Sequence, residues 1–278
     1  MTATIALAIP HTDWISTRVE SFERLMDGLG LIGDHWISKK LGPQAFKPFT
    51  DRESNRVWSQ RMFRWALDTG ASHFLQLQDD AIVAPNFWPI LRAMIEAQPD
   101  RIIGLEATHP LIPVQYKAGR RWYRDYWLIG VGYVVPRPLL AQYVAWCEAN
   151  TERVAKTNED SLISEWSYET KIPIFHPIPT VIDHDLGVPS TYGNDGHHEF
   201  SMYRRPLITW RDVENVASLE AADYWRCTEG SAPLLPGPGT QLCWYCAVAD
   251  GKLTSSKTGA RLCKQCLADM LGHILNRY

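Results

Sequence analysis

The chain lacks long hydrophobic runs. Across its 278 residues there is no stretch of about 18 apolar residues, so nothing in it reads as a membrane-spanning helix. Residues 1 to 10 are apolar but carry no basic residue ahead of the apolar run. They are expected to form a first strand rather than a signal peptide, which predicts a cytoplasmic chain. Charge of one sign is also scarce. Against 31 Asp and Glu stand 28 Lys and Arg, a formal net charge of -3, with a pI of about 6.3. There is no global basic field, so any nucleic-acid contact falls to local patches. No internal repeat is found. Cysteine is rare, with six residues, and unevenly distributed. Four form two Cys-x-x-Cys pairs in the last part of the chain, while Cys147 and Cys227 stand alone. In a cytoplasmic chain this pattern points to metal rather than to disulfides.

What is present suits one large core and a small appendage, since 45% of the residues are hydrophobic. Thr4 to Pro10 reads as a strand. Ser16 or Thr17 can cap a helix, with Glu20 completing a capping box after Thr17. Val19, Phe22, Leu25, Met26 and Leu29 give that helix its apolar stripe. A second strand is expected near residues 35–38, then a helix from Glu53 to Asp68 and a strand from Ser72 to Gln78. A helix opened by Pro85 follows, and Arg101 to Leu105 is again strand-like. Farther on, 126–135 reads as a strand, 138–149 as a helix, and Asn158 as the cap of a helix running to about Thr170. Residues 172–182 are extended and rich in proline. Strands alternating with helices predict an α/β, Rossmann-like fold with a mostly parallel sheet flanked by helices. Gly230 to Gly239 holds three prolines and three glycines and reads as a linker. The expected organisation is a domain over residues 1–229, a linker over 230–240 and a small module over 241–278.

In that module Cys243 and Cys246 are separated from Cys263 and Cys266 by a spacer of 16 residues between the pairs. Four thiolates at this spacing suit tetrahedral structural Zn²⁺. Leu267, Met270, Leu271, Ile274 and Leu275 recur at helical spacing after the second pair, and a Gly-rich hairpin is expected between the pairs. So small a unit cannot build much of a core, and metal would supply its folding energy. The module either caps the fold or contacts a partner. Lys252, Lys257, Arg261 and Lys264 make it locally basic, and Trp244 and Tyr245 can stack on bases. Four closed cysteine ligands leave no position for catalysis at this zinc.

The Ser72 to Gln78 run ends abruptly in Asp79-Asp80. Two carboxylates at the end of a buried strand are costly unless a positive group sits between them, and a divalent cation holding a diphosphate is one such group. Ligands of α/β sheets sit beyond the carboxyl ends of the strands. Two further segments join this one: Glu159-Asp160 at a helix start, where the macrodipole favours acids in any case, and Asp183-His184-Asp185 after an extended run.

The order and spacing of these three segments resemble those of GT-A-fold glycosyltransferases, over roughly residues 1–200. The resemblance implies an acidic motif binding Mn²⁺ or Mg²⁺ and a UDP-sugar or other nucleotide-sugar donor. It also implies a later carboxylate serving the acceptor, and a histidine completing the metal shell. Carried onto this sequence, Asp80 and His184 are the metal ligands, and Asp160 or its neighbour Glu159 is the base. Donor contacts fall to His11, Thr12, Arg52, Asn55, Gln78 and Asp79. The chain departs from the pattern at Gln78, where an acid is usual. A single base opposite the leaving group implies inversion at the anomeric carbon. The compact layout with a zinc module resembles bacteriophage-type enzymes, some of which glycosylate hydroxymethylated pyrimidines in DNA, and a phage-encoded chain would work in the host cytoplasm. For such an acceptor, Arg120, Arg121, Trp122 and Arg124 offer cations and an aromatic wedge, with Tyr203-Arg204-Arg205 adding to them. Three alternatives stay open: a glycan, lipid-linked or protein acceptor, a non-catalytic zinc-dependent DNA-binding or adaptor protein, and a hydrolase using the same carboxylates.

Overall fold

The computed structural model describes residues 3–11, 16–30, 52–106, 112–117, 119–128, 130–154, 157, 159–185, 187–188, 208–226, 253–254 and 261–262. In chain order the elements are β1 (Ile5–Ala8), α1 (Ser16–Leu29), α2 (Arg52–Asp68), β2 (His73–Leu77), β3 (Ala81–Val83), α3 (Phe87–Ala97), β4 (Ile102–Gly104), α4 (Ile112–Lys117), β5 (Trp122–Asp125), β6 (Gly132–Pro136), α5 (Arg137–Ala149), α6 (Thr151–Val154), α7 (Glu159–Thr170), β7 (Ile174–Pro177), β8 (Ile182–His184), α8 (Ala222–Trp225), β9 (Leu253–Thr254) and β10 (Arg261–Leu262).

Six strands form one sheet in the order β1-β2-β6-β4-β7-β5. The fold is mixed α/β, but the expected mostly parallel sheet is corrected. Only β1 with β2 and β4 with β7 run parallel; β6 runs antiparallel to both of its neighbours, and β5 antiparallel to β7. Hydrophobic alternation reports which face a residue takes, not which way its strand runs, so the sequence pattern could not fix direction.

The alternation itself holds well. Leu7, Leu75, Leu77, Ile103, Val134 and Phe175 pack on one face against α1, α3 and Trp225. Ala6, Ala8, Phe74, Ile102, Tyr133, Val135 and Ile174 pack on the other face with residues of α2, α5 and α7. The result is a layered sandwich with the sheet in the middle. In α1, Phe22, Leu25 and Leu29 are buried as expected, but Val19 and Met26 are only partly so, and Arg18 and Ser21 take the inward places. Full burial of each large apolar side chain contributes about 1.5–3 kcal/mol.

Beyond the end of β2 the chain turns into β3, which pairs antiparallel with β8 and sets Ala81 opposite His184. This small ribbon joins residues about a hundred positions apart and lies against α1. The strand expected at 35–38, residues 189–205 and the four paired cysteines lie outside the described residues. Between the cysteine pairs, β9 and β10 form the expected antiparallel hairpin. Among the described residues no helix is long and apolar enough to cross a membrane.

Candidate active site

The end of β2 divides its side chains between two helices. Asp79 and Asp80 turn towards α1, and Gln78 turns towards α7. On the α1 side both acids are only 1% exposed. Arg18, itself 7% exposed, reaches across from the first turn of α1. It ion-pairs with Asp79 Oδ1 and donates through Nη2 to Asp80 Oδ2 at 2.9 Å. His11, just past β1, lies with Nδ1 3.2 Å from Asp79 Oδ2 and stacks on Phe22. His184 Nε2 lies 2.9 Å from Asp80 Oδ2. Burial pushes the His184 imidazole down, but its hydrogen bond to Asp80 and the charges of Asp80 and Glu106 outweigh this and hold its pKa above the ordinary value. Burial likewise pushes Asp80 up, yet His184 and Arg18 bring its carboxyl below the usual range.

Two more acids of the 183–185 segment have cations of their own. Arg24 Nη2 donates to Asp185 Oδ2 at 2.5 Å, and Arg211 Nη1 to Asp183 Oδ2 at 2.6 Å. The Asp185 amide donates to the Asp80 carbonyl at 2.8 Å, tying the ribbon to the acidic turn.

The α7 side is built differently. Glu159 is partly buried and accepts from Gln76 Nε2. Gln76 Oε1 in turn accepts from Tyr133 Oη at 2.7 Å. Burial pushes the Glu159 carboxyl up to about 7 despite the Gln76 bond, with the Asp160 charge adding to the rise. The helix N-terminus favours an acid by only about 0.3–1 kcal/mol at an exposed surface, and desolvation wins here. Asp160 is also raised by burial, although its Oδ1 accepts from the Ser161 amide at 2.7 Å. Its Oδ2 faces Gly130. A Cβ placed on that glycine would stand 3.1 Å from Asp160 Oδ2 and 3.2 Å from Gln78 Nε2. Gln78, the departure from the acidic pattern, therefore borders the Asp160 carboxylate rather than joining Asp79 and Asp80.

A strip of chain runs beside α7 away from Asp160. The Leu128 amide donates to Ser164 Oγ at 2.9 Å, and Ser164 Oγ donates to the Asp160 carbonyl at 2.7 Å. Farther along, Tyr126 meets Tyr168 edge to face, with Lys171 Nζ 3.9 Å from the Tyr168 ring centre. Trp127 and Tyr168 are the large apolar side chains most exposed among the described residues, at 62% and 42%.

Of the expected residues, Asp79, Asp80, His184 and His11 come together on one side of the strand end, and Gln78, Glu159 and Asp160 on the other. Arg52 and Asn55 lie in the opening turns of α2, and Thr12 lies outside the described residues. The acceptor patch needs a correction. Trp122 is 2% exposed, packs in the core and donates its indole N–H to the Trp225 carbonyl at 2.7 Å, so it is no free wedge. On β5, Trp122 and Arg124 share the face opposite Asp160. The Arg121 guanidinium lies 4.3 Å from the Tyr224 ring centre and that of Arg124 lies 5.7 Å from the Phe175 ring centre. Arg120 follows the turn after α4, where its amide donates to the Gln115 carbonyl at 2.9 Å.

Two residues went unread in the sequence although each left a signal. Arg18 stands with Phe22, Leu25 and Leu29 at helical spacing, a cation on an apolar stripe. Glu106 closes the run Ile102-Ile103-Gly104-Leu105 just as Asp79 closes β2. It is 1% exposed, and burial pushes its carboxyl up to about 8. Its carbonyl accepts from His176 Nδ1 at 3.0 Å, and His176 Nε2 lies 3.1 Å from Asp125 Oδ1.

No protein-family model matches the chain, and no curated protein matches it.

The expected divalent cation can be weighed against these atoms. Both carboxylate oxygens of Asp79 and Oδ2 of Asp80 already face cations or imidazoles. Asp80 Oδ1 is buried and accepts no hydrogen bond from another described residue. That oxygen is the kind of hard donor Mg²⁺ or Mn²⁺ takes. Among the described residues no three His, Cys, Asp or Glu side chains are gathered as a ready-made metal cluster. A cation here would complete its shell with phosphate and water.

Proposed function

We propose that this chain is a glycosyltransferase of GT-A-like layout, moving a sugar from a nucleotide-sugar to an acceptor hydroxyl with inversion. The observation that carries this reading is convergence. Three acidic segments, the second and third some eighty and a hundred residues after the first, meet around the end of one buried strand, with His184 on Asp80 and Asp160 beside Gln78.

In this reading the α1 side holds the donor. His11 and Asp79, fixed by Arg18 and by each other, present the nucleoside contacts. Asp80 would hold the divalent cation through Oδ1, and that cation supplies Lewis-acid neutralisation of the departing diphosphate. The α7 side holds the base. Asp160 takes the proton from the acceptor hydroxyl as that oxygen attacks the anomeric carbon, and its raised pKa makes it a stronger acceptor for that proton. Glu159 faces inward to Gln76 and so positions the helix start rather than touching substrate. The four cysteines of the 241–278 module are assigned to structural Zn²⁺.

For the acceptor the leading reading remains a 5-hydroxymethylpyrimidine in DNA. The place of Trp122 in the core favours a second reading, a glycan acceptor. The exposed aromatics along the strip beside α7 are Trp127 and Tyr168, and these stack a sugar ring as readily as a base.

The test is nucleotide release from a panel of UDP- and GDP-sugars with Mn²⁺, with and without 5-hydroxymethylcytosine DNA. Release that needs one donor and the modified DNA, and that is lost in Asp80→Ala, supports the first reading. Release indifferent to DNA moves the acceptor to a glycan, lipid-linked or protein hydroxyl. Absence of both binding and release with every donor overturns the enzyme and leaves the zinc-dependent binding protein.

A further inference from the structure

Five carboxylates surround the ribbon on the α1 side: Asp79, Asp80, Asp183, Asp185 and Glu106. Four have a cation in direct contact. Arg18 serves Asp79 and Asp80, with His184 also on Asp80. Arg211 serves Asp183, and Arg24 serves Asp185. Glu106 makes no ion pair among the described residues. Its Oε2 is buried and has no hydrogen-bond partner among the described residues, which it shares with Asp80 Oδ1. The Val181 amide donates to the Leu105 carbonyl at 3.4 Å and the Ala84 amide to the Val181 carbonyl at 2.9 Å, so Glu106 leaves β4 directly beside the β3–β8 ribbon that carries His184 and follows Asp80.

Buried oxygens without partners are rare in folded proteins and signal a missing water or ion. Water would satisfy the hydrogen-bonding capacity of the two oxygens but not the negative charge the two carboxylates carry once Glu106 ionises. A hard divalent cation satisfies both, and commonly takes one or two carboxylates, with substrate phosphate and water filling the rest of its shell. We infer that Glu106 is a second carboxylate ligand for the divalent cation of this site, opposite Asp80. The inference rests on the presence of such a cation in the proposed donor site and adds a ligand that the acidic motif does not contain. Placing the second ligand after β4 fixes the cation between two strand ends rather than on one turn. The His176 contact to the Glu106 carbonyl then anchors that ligand from behind.

The experiment is Mn²⁺ binding to the full, zinc-loaded chain, followed by the paramagnetic resonance signal of free Mn²⁺, with and without inorganic pyrophosphate. Glu106→Gln and Asp80→Asn are each expected to weaken binding at least tenfold, while Glu152→Gln on the exposed face of α6 leaves it unchanged. Melting without metal checks that each variant is folded. Wild-type affinity in Glu106→Gln overturns the inference, as does the absence of saturable Mn²⁺ binding to the wild-type chain with pyrophosphate. Should Glu106→Gln not fold, Glu106→Asp keeps the carboxyl but withdraws it by one methylene. Weakened binding is then expected, and unchanged affinity overturns the inference. The transferase reading is judged separately, by nucleotide-sugar binding to the zinc-loaded chain with no Mn²⁺ added, so the two can fail independently.

Discussion

The two halves of the site handle negative charge in opposite ways. On the α1 side Asp79, Asp80, Asp183 and Asp185 each face an arginine. On the α7 side Glu159 and Asp160 meet, among the described residues, the neutral donors Gln76 and Ser161, and burial raises both. A carboxylate beside a fixed cation keeps its charge and its place. One held by neutral groups in a dry setting can trade its proton near neutral pH. The first arrangement suits holding an ionic ligand, and the second suits moving a proton.

The contrast can be broken from either side. The largest effect is expected at Asp160. Asp160→Asn keeps the shape and the Ser161 contact but removes the proton acceptor, so turnover should fall roughly 10²–10⁴-fold with donor affinity retained. Single-turnover rates measured beside donor binding check this, and unchanged turnover would remove Asp160 from its role. Next comes Arg18→Met, which leaves two buried acids without their main cation. A loss of about 3–5 kcal/mol of stability is expected, read by denaturant unfolding. Adding Asp79→Asn to that variant should restore part of it, and a simple sum of the two losses would show that the pairing is not what matters.

The smallest effect sharpens the comparison through pH. The Glu159 carboxyl is raised from 4.5 to about 7 in the fold, so between these values the folded state binds more protons than the unfolded one. Stability should therefore fall as pH rises from about 4.5 to 7, by at most about 3 kcal/mol from this group. Glu159→Gln should flatten that part of the melting-temperature profile and gain most at pH 8. A profile identical to the wild type would mean the burial of Glu159 carries no such penalty.

Much of this was legible in the sequence. The abrupt acidic end of β2, the helix start at Glu159-Asp160 and the histidine of β8 each lie where the pattern of apolar runs put them. Charge pairing was less legible because it depends on which strand ends lie side by side, and β6, inserted antiparallel between β2 and β4, is invisible to alternation. Arg18 could be seen only as a misfit on its stripe until its partners were in place. Trp122 misled for a related reason. Cations crowd around it in sequence, but the period of two along β5 turns it into the core.

The pairing of β3 with β8 also orders events in time. Arg18, Asp79 and Asp80 lie within one N-terminal stretch, whereas His184 follows Asp80 by 104 residues. At synthesis rates of about 5–20 residues per second, that distance is a delay of roughly 5–20 s. Throughout it the acidic turn already has its arginine, so a nascent chain need not expose two bare carboxylates while its last ribbon strand is still being made.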